Sequence, residues 1–392
     1  MRKEAISKLL AAIHSREPVR GLTHTFYRYP ARFSPQFARA AIELFSKPGE
    51  VVLDPFMGGG TTLVEAATLG RQSIGADISR LAVFLARVKT RPLSDSDLGL
   101  IARWVYSLFE HLSLQKPPMR AVWWQQAGYQ RNLPWPIRKT IEFALARLPE
   151  LPHPRQRRFA RCLLLRTGQW ALDCRESIPS ASEFRAALIR FLNEFLEGMR
   201  QYRHLMRLQK ARGHLSGLPL LVRTCAASLP YCGVIAGLAR KPTLIVTSPP
   251  YPGVHVLYHR WSIRGRKESA APFWIAGCVD GQGAAHYTFG DRRQRSLQTY
   301  FQGIRESFLG LRKIISNEAI VLQLVAFSKP DWQIPAYLET MRQAGFEQIA
   351  PQDLGVKHDS YLWRDVPGRR WFAQIQPRLA TSREYVLFHC PR

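Results

Sequence analysis

The chain has 392 residues, with 56 Lys+Arg against 29 Asp+Glu, a formal net charge of +27 and a pI near 10.5. That balance points to a polyanionic partner, most simply nucleic acid. With 46% hydrophobic and 11% aromatic residues, a sizeable core is available and global disorder is excluded.

The first informative stretch, residues 35–79, reads helix, strand, Gly-rich turn, helix, strand. Phe37, Ala40, Ala41, Leu44 and Phe45 fall at helical spacing, and Pro48 and Gly49 end that helix. Val51, Val52 and Leu53 form an apolar run suited to a buried parallel strand. Asp54 to Gly60 is the turn, Thr61 or Thr62 is the expected cap of the next helix, and Gly70 closes it. A second strand over 73–76 ends at Asp77. This is a βαβ unit, which calls for a parallel sheet with helices on both faces.

Residues 93–213 carry helical patterns at 97–112, 136–148, 156–173 and 182–211, punctuated by prolines, with 20 Lys+Arg against 10 Asp+Glu. Strand signals return at 218–222, 243–247, 319–325, 346–349 and 385–389. The chain therefore divides into 1–92, the first part of an α/β core; 93–213, a helical insertion and candidate DNA-binding region; and 214–392, the rest of the core. The six Cys are scattered, with no CxxC pair and no His cluster, so neither a metal site nor a disulfide framework is expected, and the expected compartment is the cytoplasm. No apolar run approaches the ~20 residues that span a bilayer, so no membrane partner is expected. The charged N-terminus does not read as a secretory signal.

Two motifs carry chemistry. Asp54-Pro55-Phe56-Met57-Gly58-Gly59-Gly60-Thr61-Thr62 follows a strand and opens a helix. Its glycines let backbone approach a ligand, and the helix start offers free N–H groups. No Lys follows the last Gly, which disfavours a Walker A loop, and the spacing of a dinucleotide fingerprint is missing. Asp77 can accept hydrogen bonds from ribose hydroxyls. An acidic Asp54 at the loop mouth suits a cationic cofactor, which favours S-adenosylmethionine over NAD or ATP. The second motif, Ser248-Pro249-Pro250-Tyr251, ends a buried strand. Its prolines stop the ladder and stiffen the loop. Ser248 and a loop carbonyl offer acceptors for an amino group, and Tyr251 offers a ring for a base.

Together the two motifs resemble those of the amino-group DNA methyltransferases, which methylate N4 of cytosine or N6 of adenine using S-adenosylmethionine. The stretch His24-Thr25-Phe26-Tyr27-Arg28-Tyr29-Pro30-Ala31-Arg32-Phe33 resembles the family's segment before the first motif. The resemblance covers roughly 22–92 and 215–330. It implies a Rossmann-like methyltransferase fold, a mostly parallel seven-stranded sheet with helices on both faces and a helical insertion. It implies that Tyr29, Asp54, Pro55, Phe56, Gly58, Gly60, Thr61, Thr62 and Asp77 bind cofactor, and that Ser248, Pro249, Pro250 and Tyr251 grip the target base. Ser at the first position of the second motif favours N4 of cytosine. The motif order looks like the family's alpha arrangement. The insert, however, follows strand two rather than strand three, and the loop 223–230 lacks the usual acidic residue. Duplex DNA with a flipped base is the implied substrate. A restriction endonuclease of the same specificity is a partner that the resemblance admits.

Residues 258–267 mix aromatics and cations, and 281–293 continue them. Arg260, Arg264, Arg266, Lys267, Arg292 and Arg293 are the expected nucleic-acid contacts. Arg155, Arg157, Arg158 and Arg161 open a helix, as phosphate contacts or as a solvated face. Trp123, Trp124 and Trp135 are expected in the core of the insertion. The eleven His show no ligand spacing. Alternatives are an N6-adenine enzyme, an RNA base amino-methyltransferase, and a non-catalytic DNA-binding protein with a vestigial core.

Overall fold

The computed structural model describes residues 2–15, 17–29, 34–110, 122–215, 217–252, 259–265, 267–280, 287, 289, 297–354, 361–365 and 383–392. Ten strands form among them: β1 (Val51–Asp54), β2 (Gln72–Ala76), β3 (Leu220–Val222), β4 (Leu244–Thr247), β5 (Trp261–Ile263), β6 (Lys267–Ser269), β7 (Ile320–Ala326), β8 (Phe346–Ile349), β9 (Leu362–Asp365) and β10 (Arg383–Pro391). Eight make one sheet in the order β3-β2-β1-β4-β7-β10-β8, with β9 on β10; β5 and β6 form a separate hairpin. The β3-β2-β1-β4-β7 run is parallel, whereas β10 is antiparallel to β7, β8 and β9.

Every residue of β1 and of β4 is buried, as central parallel strands require. The helix Pro35–Phe45 starts where Ser34 accepts from the Gln36 N–H, and it buries Phe37, Ala38, Ala40, Ala41 and Ile42. That stripe packs with Val246, Leu322 and Phe388 on one sheet face, while Tyr300, Ile304 and Phe308 pack with Ile245 and Val321 on the other. From β1 the strand order runs outward in both directions, so a crevice opens at the carboxyl ends of β1 and β4. Both sequence motifs end there.

The insertion folds as helices Asp95–Glu110, Val122–Gln126, Trp135–Ala146, Pro154–Leu172 and Ala181–Ala211. It shares one hydrophobic cluster with the segment upstream of the first motif: Phe26, Leu85, Phe159, Phe195 and Trp261 all belong to it. The Phe26 and Phe195 rings stack with centroids 3.9 Å apart. Ser180 and Glu183 form a capping box at the start of the long helix Ala181–Ala211. Two expectations for this region are corrected. Trp123 and Trp135 are 53% and 50% exposed, and only Trp124 packs inward, edge-on to Tyr129. Arg155, Arg157 and Arg161 are engaged internally, with Asp97, the Leu151 carbonyl and the Ile275 carbonyl respectively. Among the described residues no helix is long and apolar enough to cross a membrane.

Candidate active site

The first motif is held as a pre-shaped turn. The Met57 N–H reaches the Ala76 carbonyl at 2.9 Å, the Gly60 N–H the Met57 carbonyl at 2.7 Å, and Lys89 Nζ the Gly59 carbonyl at 2.8 Å. Gly58 has φ +45° and Gly60 has φ +74°, conformations that favour glycine. A Cβ on Gly58 would lie 2.8 Å from the Tyr29 ring. Tyr29 is therefore laid over the glycine turn. Its hydroxyl lies 3.5 Å from Nε2 of His259. His259 is buried, and burial holds its imidazole down to about 3, so it is neutral.

Asp54 does not stand at a loop mouth. It is 1% exposed. Its Oδ1 accepts from Thr247 Oγ1 at 2.7 Å and from the Phe56 N–H at 3.2 Å, and its Oδ2 accepts from Thr62 Oγ1 at 2.8 Å. Burial pushes its carboxyl up to about 6 against these three donors. Asp54 thus staples the end of β1 to the next helix and to β4, joining the two motifs across 193 residues of sequence. The expected capping by Thr61 or Thr62 is likewise corrected. Gly60 takes the cap position without a side-chain bond, and the Thr62 hydroxyl is committed to Asp54 and the Val246 carbonyl. The backbone N–H groups of that helix start remain to meet a ligand.

Asp77 is half-buried at the end of β2. Its Oδ2 accepts from the Gly58 N–H at 3.0 Å and its Oδ1 from the Ser79 N–H at 2.8 Å. Burial raises its carboxyl to about 6, opposed by those two bonds. Each oxygen keeps a second lone pair, which is what two vicinal ribose hydroxyls need. Phe56 is half-buried beside the turn, edge-on to Phe289 at 6.0 Å, and Pro55 is buried.

In the second motif Ser248 is half-buried and Pro249 is buried. The Tyr300 hydroxyl donates to the Pro250 carbonyl at 2.9 Å. Tyr251 does not present the open ring expected of it. It is 9% exposed, packed in the core with Tyr300, and its hydroxyl donates to Glu384 Oε1 at 2.7 Å.

The basic stretch after the second motif is also more ordered than expected. β5 and β6 pair antiparallel, with the Trp261 indole N–H donating to Tyr27 Oη at 3.1 Å. The Trp261 ring lies against Gly168 of the insertion, where a Cβ would come within 2.7 Å. Arg260 is paired with Asp280 at 2.9 Å, so it is already committed inside the fold. Arg264 and Lys267 are exposed on the hairpin. Arg266, Arg292 and Arg293 lie outside the described residues. No cluster of metal-binding side chains occurs among the described residues. Sequence reasoning missed Lys89, His259, Tyr300, Arg364 and Glu384, which belong to no motif and reach the site only through tertiary contacts.

Comparison with known proteins bears on the region of the first motif. Residues 5–87 match a family model described as DNA methylase, of the N6/N4 type. Over 93 residues the chain is 41% identical to the type II methyltransferase M.MvaI of Kocuria varians, covering 23% of this chain and 20% of that one. Over 51 residues it is 45% identical to a tRNA (guanine(10)-N2)-dimethyltransferase of Methanothermobacter thermautotrophicus, covering 13% and 15%. The matches therefore span about a fifth or less of these relatives' lengths. Among solved structures, the rRNA methyltransferase AviRa of Streptomyces viridochromogenes aligns with 93% of this chain and 89% of its own at 12% identity and TM-score 0.35. The glycine turn, the helix start and Asp77 offer donors and acceptors that would fit S-adenosylmethionine. Over residues 5–87, the stretch that carries the first motif and Asp77, this chain is similar to DNA methylases of the N6/N4 type.

Proposed function

We propose that the protein transfers a methyl group to the exocyclic amino group of a base flipped out of duplex DNA, with N4 of cytosine as the target. One observation carries the reading: Asp54 is bonded to both Thr62 and Thr247, so the cofactor turn and the Ser248 loop are one rigid unit. That unit sets a donor and an acceptor molecule side by side, and positioning is the main demand of a displacement at carbon. When bound, S-adenosylmethionine supplies an electrophilic methyl on a positively charged sulfur. Asp77 would hold the ribose, and the backbone from Gly58 to Thr62 and the Tyr29 ring would hold the methionine end. Ser248 and the neighbouring loop carbonyl would accept the amino protons, pulling the nitrogen lone pair out of conjugation. Pro249 and Pro250 keep that loop stiff, and Tyr251 would bound the base.

A serine hydroxyl at the first position favours cytosine, following the family resemblance. Exposed Arg264, Lys267, Trp123 and Trp135 are surfaces for phosphate and base contact. A second reading, methylation of an RNA base, is favoured by the similarity to a tRNA dimethyltransferase. Methyl-labelled cofactor offered with duplex DNA, single-stranded DNA and tRNA separates these readings, followed by mass spectrometry of the nucleosides. N4-methylcytosine from the duplex is expected. N6-methyladenine would move the target, methylated tRNA alone would replace the substrate, and bound cofactor without transfer to any of them would end the enzyme reading.

A further inference from the structure

Behind the Ser248 loop a line of polar side chains runs from the second motif to two residues that neither motif contains. Ser248 Oγ donates to Tyr251 Oη at 3.1 Å, and Tyr251 Oη donates to Glu384 Oε1 at 2.7 Å. Glu384 Oε2 accepts from Arg364 Nε at 2.7 Å. Glu384 and Arg364 are direct cross-strand partners on β10 and β9, and both are buried. An apolar pair at these positions would serve stability as well or better, because a buried ion pair barely offsets its desolvation. The row also has a direction. A carboxylate only accepts, so the single Tyr251 proton is committed to Glu384, and the Ser248 proton is then committed to Tyr251. Ser248, half-buried, is left presenting lone pairs.

We propose that Glu384 and Arg364 are positioning residues for methyl transfer, acting through Tyr251 to fix Ser248 as an acceptor and to take up the proton that the target nitrogen loses. The inference rests on the methyl-transfer reading given above. As the amino nitrogen forms its new bond to carbon with its own lone pair, the carbon–sulfur electron pair leaves with sulfur. The nitrogen is then positive and carries two protons, one of which must go. That N–H breaks toward Ser248 Oγ as the Ser248 proton passes to Tyr251 Oη and the Tyr251 proton to Glu384 Oε1. Glu384 ends neutral, Arg364 keeps its charge, and total charge is unchanged. The same row returns the proton to water after the product leaves.

The test uses the full chain at saturating cofactor, comparing wild type, Glu384→Gln, Tyr251→Phe and the double variant on the nucleic acid that wild type methylates. Glu384→Gln should lower kcat by about 100-fold, the low end for a positioned proton acceptor, with KM for the nucleic acid little changed. Tyr251→Phe keeps the ring but cuts the row, so it should lose as much, and the double variant no more than either. If Glu384→Gln folds poorly, Tyr251→Phe decides by the same readouts. Wild-type kcat in either folded variant, or a loss confined to KM, overturns the inference while leaving the methyl-transfer reading intact. No methyl transfer by the wild-type protein to any nucleic acid removes both.

Discussion

At the scale of single residues, two acids, Asp54 buried and Asp77 half-buried, carry different duties. Asp54 ties the motifs together and Asp77 faces the crevice, yet burial raises both to about 6. For Asp54 the consequence is in stability. A carboxyl raised in the folded state binds more protons folded than unfolded between about pH 4 and 6, so stability falls as pH rises through that window. An Asp54→Asn variant has no charge to bury. Relative to wild type it should gain about 3 kcal/mol between pH 4 and pH 7, read from urea midpoints at each pH. For Asp77 the consequence is in binding. In the role of ribose acceptor proposed above it must be ionised, so cofactor affinity measured by calorimetry should weaken as pH falls below about 6. Asp77→Asn should weaken it by about tenfold or more at pH 7.5 and flatten that dependence.

At the scale of elements, the long helix Ala181–Ala211 fixes the segment that carries Tyr29. Gly198 lets the helix touch the backbone turn at Leu22, which itself has φ +47°. A Cβ there would lie 2.0 Å from the Leu22 carbonyl oxygen, and two backbones cannot yield as a side-chain end can. Gly198→Ala should cost about 1–3 kcal/mol in urea unfolding, despite the higher helix propensity of Ala. It should also weaken cofactor binding, because Tyr29 would be lifted from the glycine turn. The β5–β6 hairpin plays a similar part on the far side. Its Trp261 seats against Gly168 and bonds Tyr27, joining the segment after the second motif to the insertion and to the segment before the first.

For the whole molecule, the charge of +27 has a direct physical reading. Neutralised phosphates release counterions, so binding to duplex DNA should fall linearly on a log–log plot against salt. Fluorescence anisotropy from about 50 to 200 mM salt should show a loss of about 1,000-fold or more for six or more phosphate contacts. A flat dependence would move the basicity away from nucleic-acid contact. Arg260, already held by Asp280, should add little to the slope.

What the sequence by itself determined is local or periodic: the glycine turn between strand and helix, the stiff Ser-Pro-Pro-Tyr loop, the βαβ order, the helical insertion and the basic balance. Each is written in neighbouring residues, through turn chemistry, side-chain spacing or simple counting. The tertiary structure decided what meets across long separations. It turned Asp54 from a cofactor contact into a staple on Thr247, buried Tyr251, and brought Glu384 and Arg364 behind Ser248. It also paired β9 with β10 from a four-residue, half-polar segment, and shaped a hairpin from an apparent loop. Such contacts leave no local trace, because they follow from which strands become neighbours in the sheet, and only the packed core sets that.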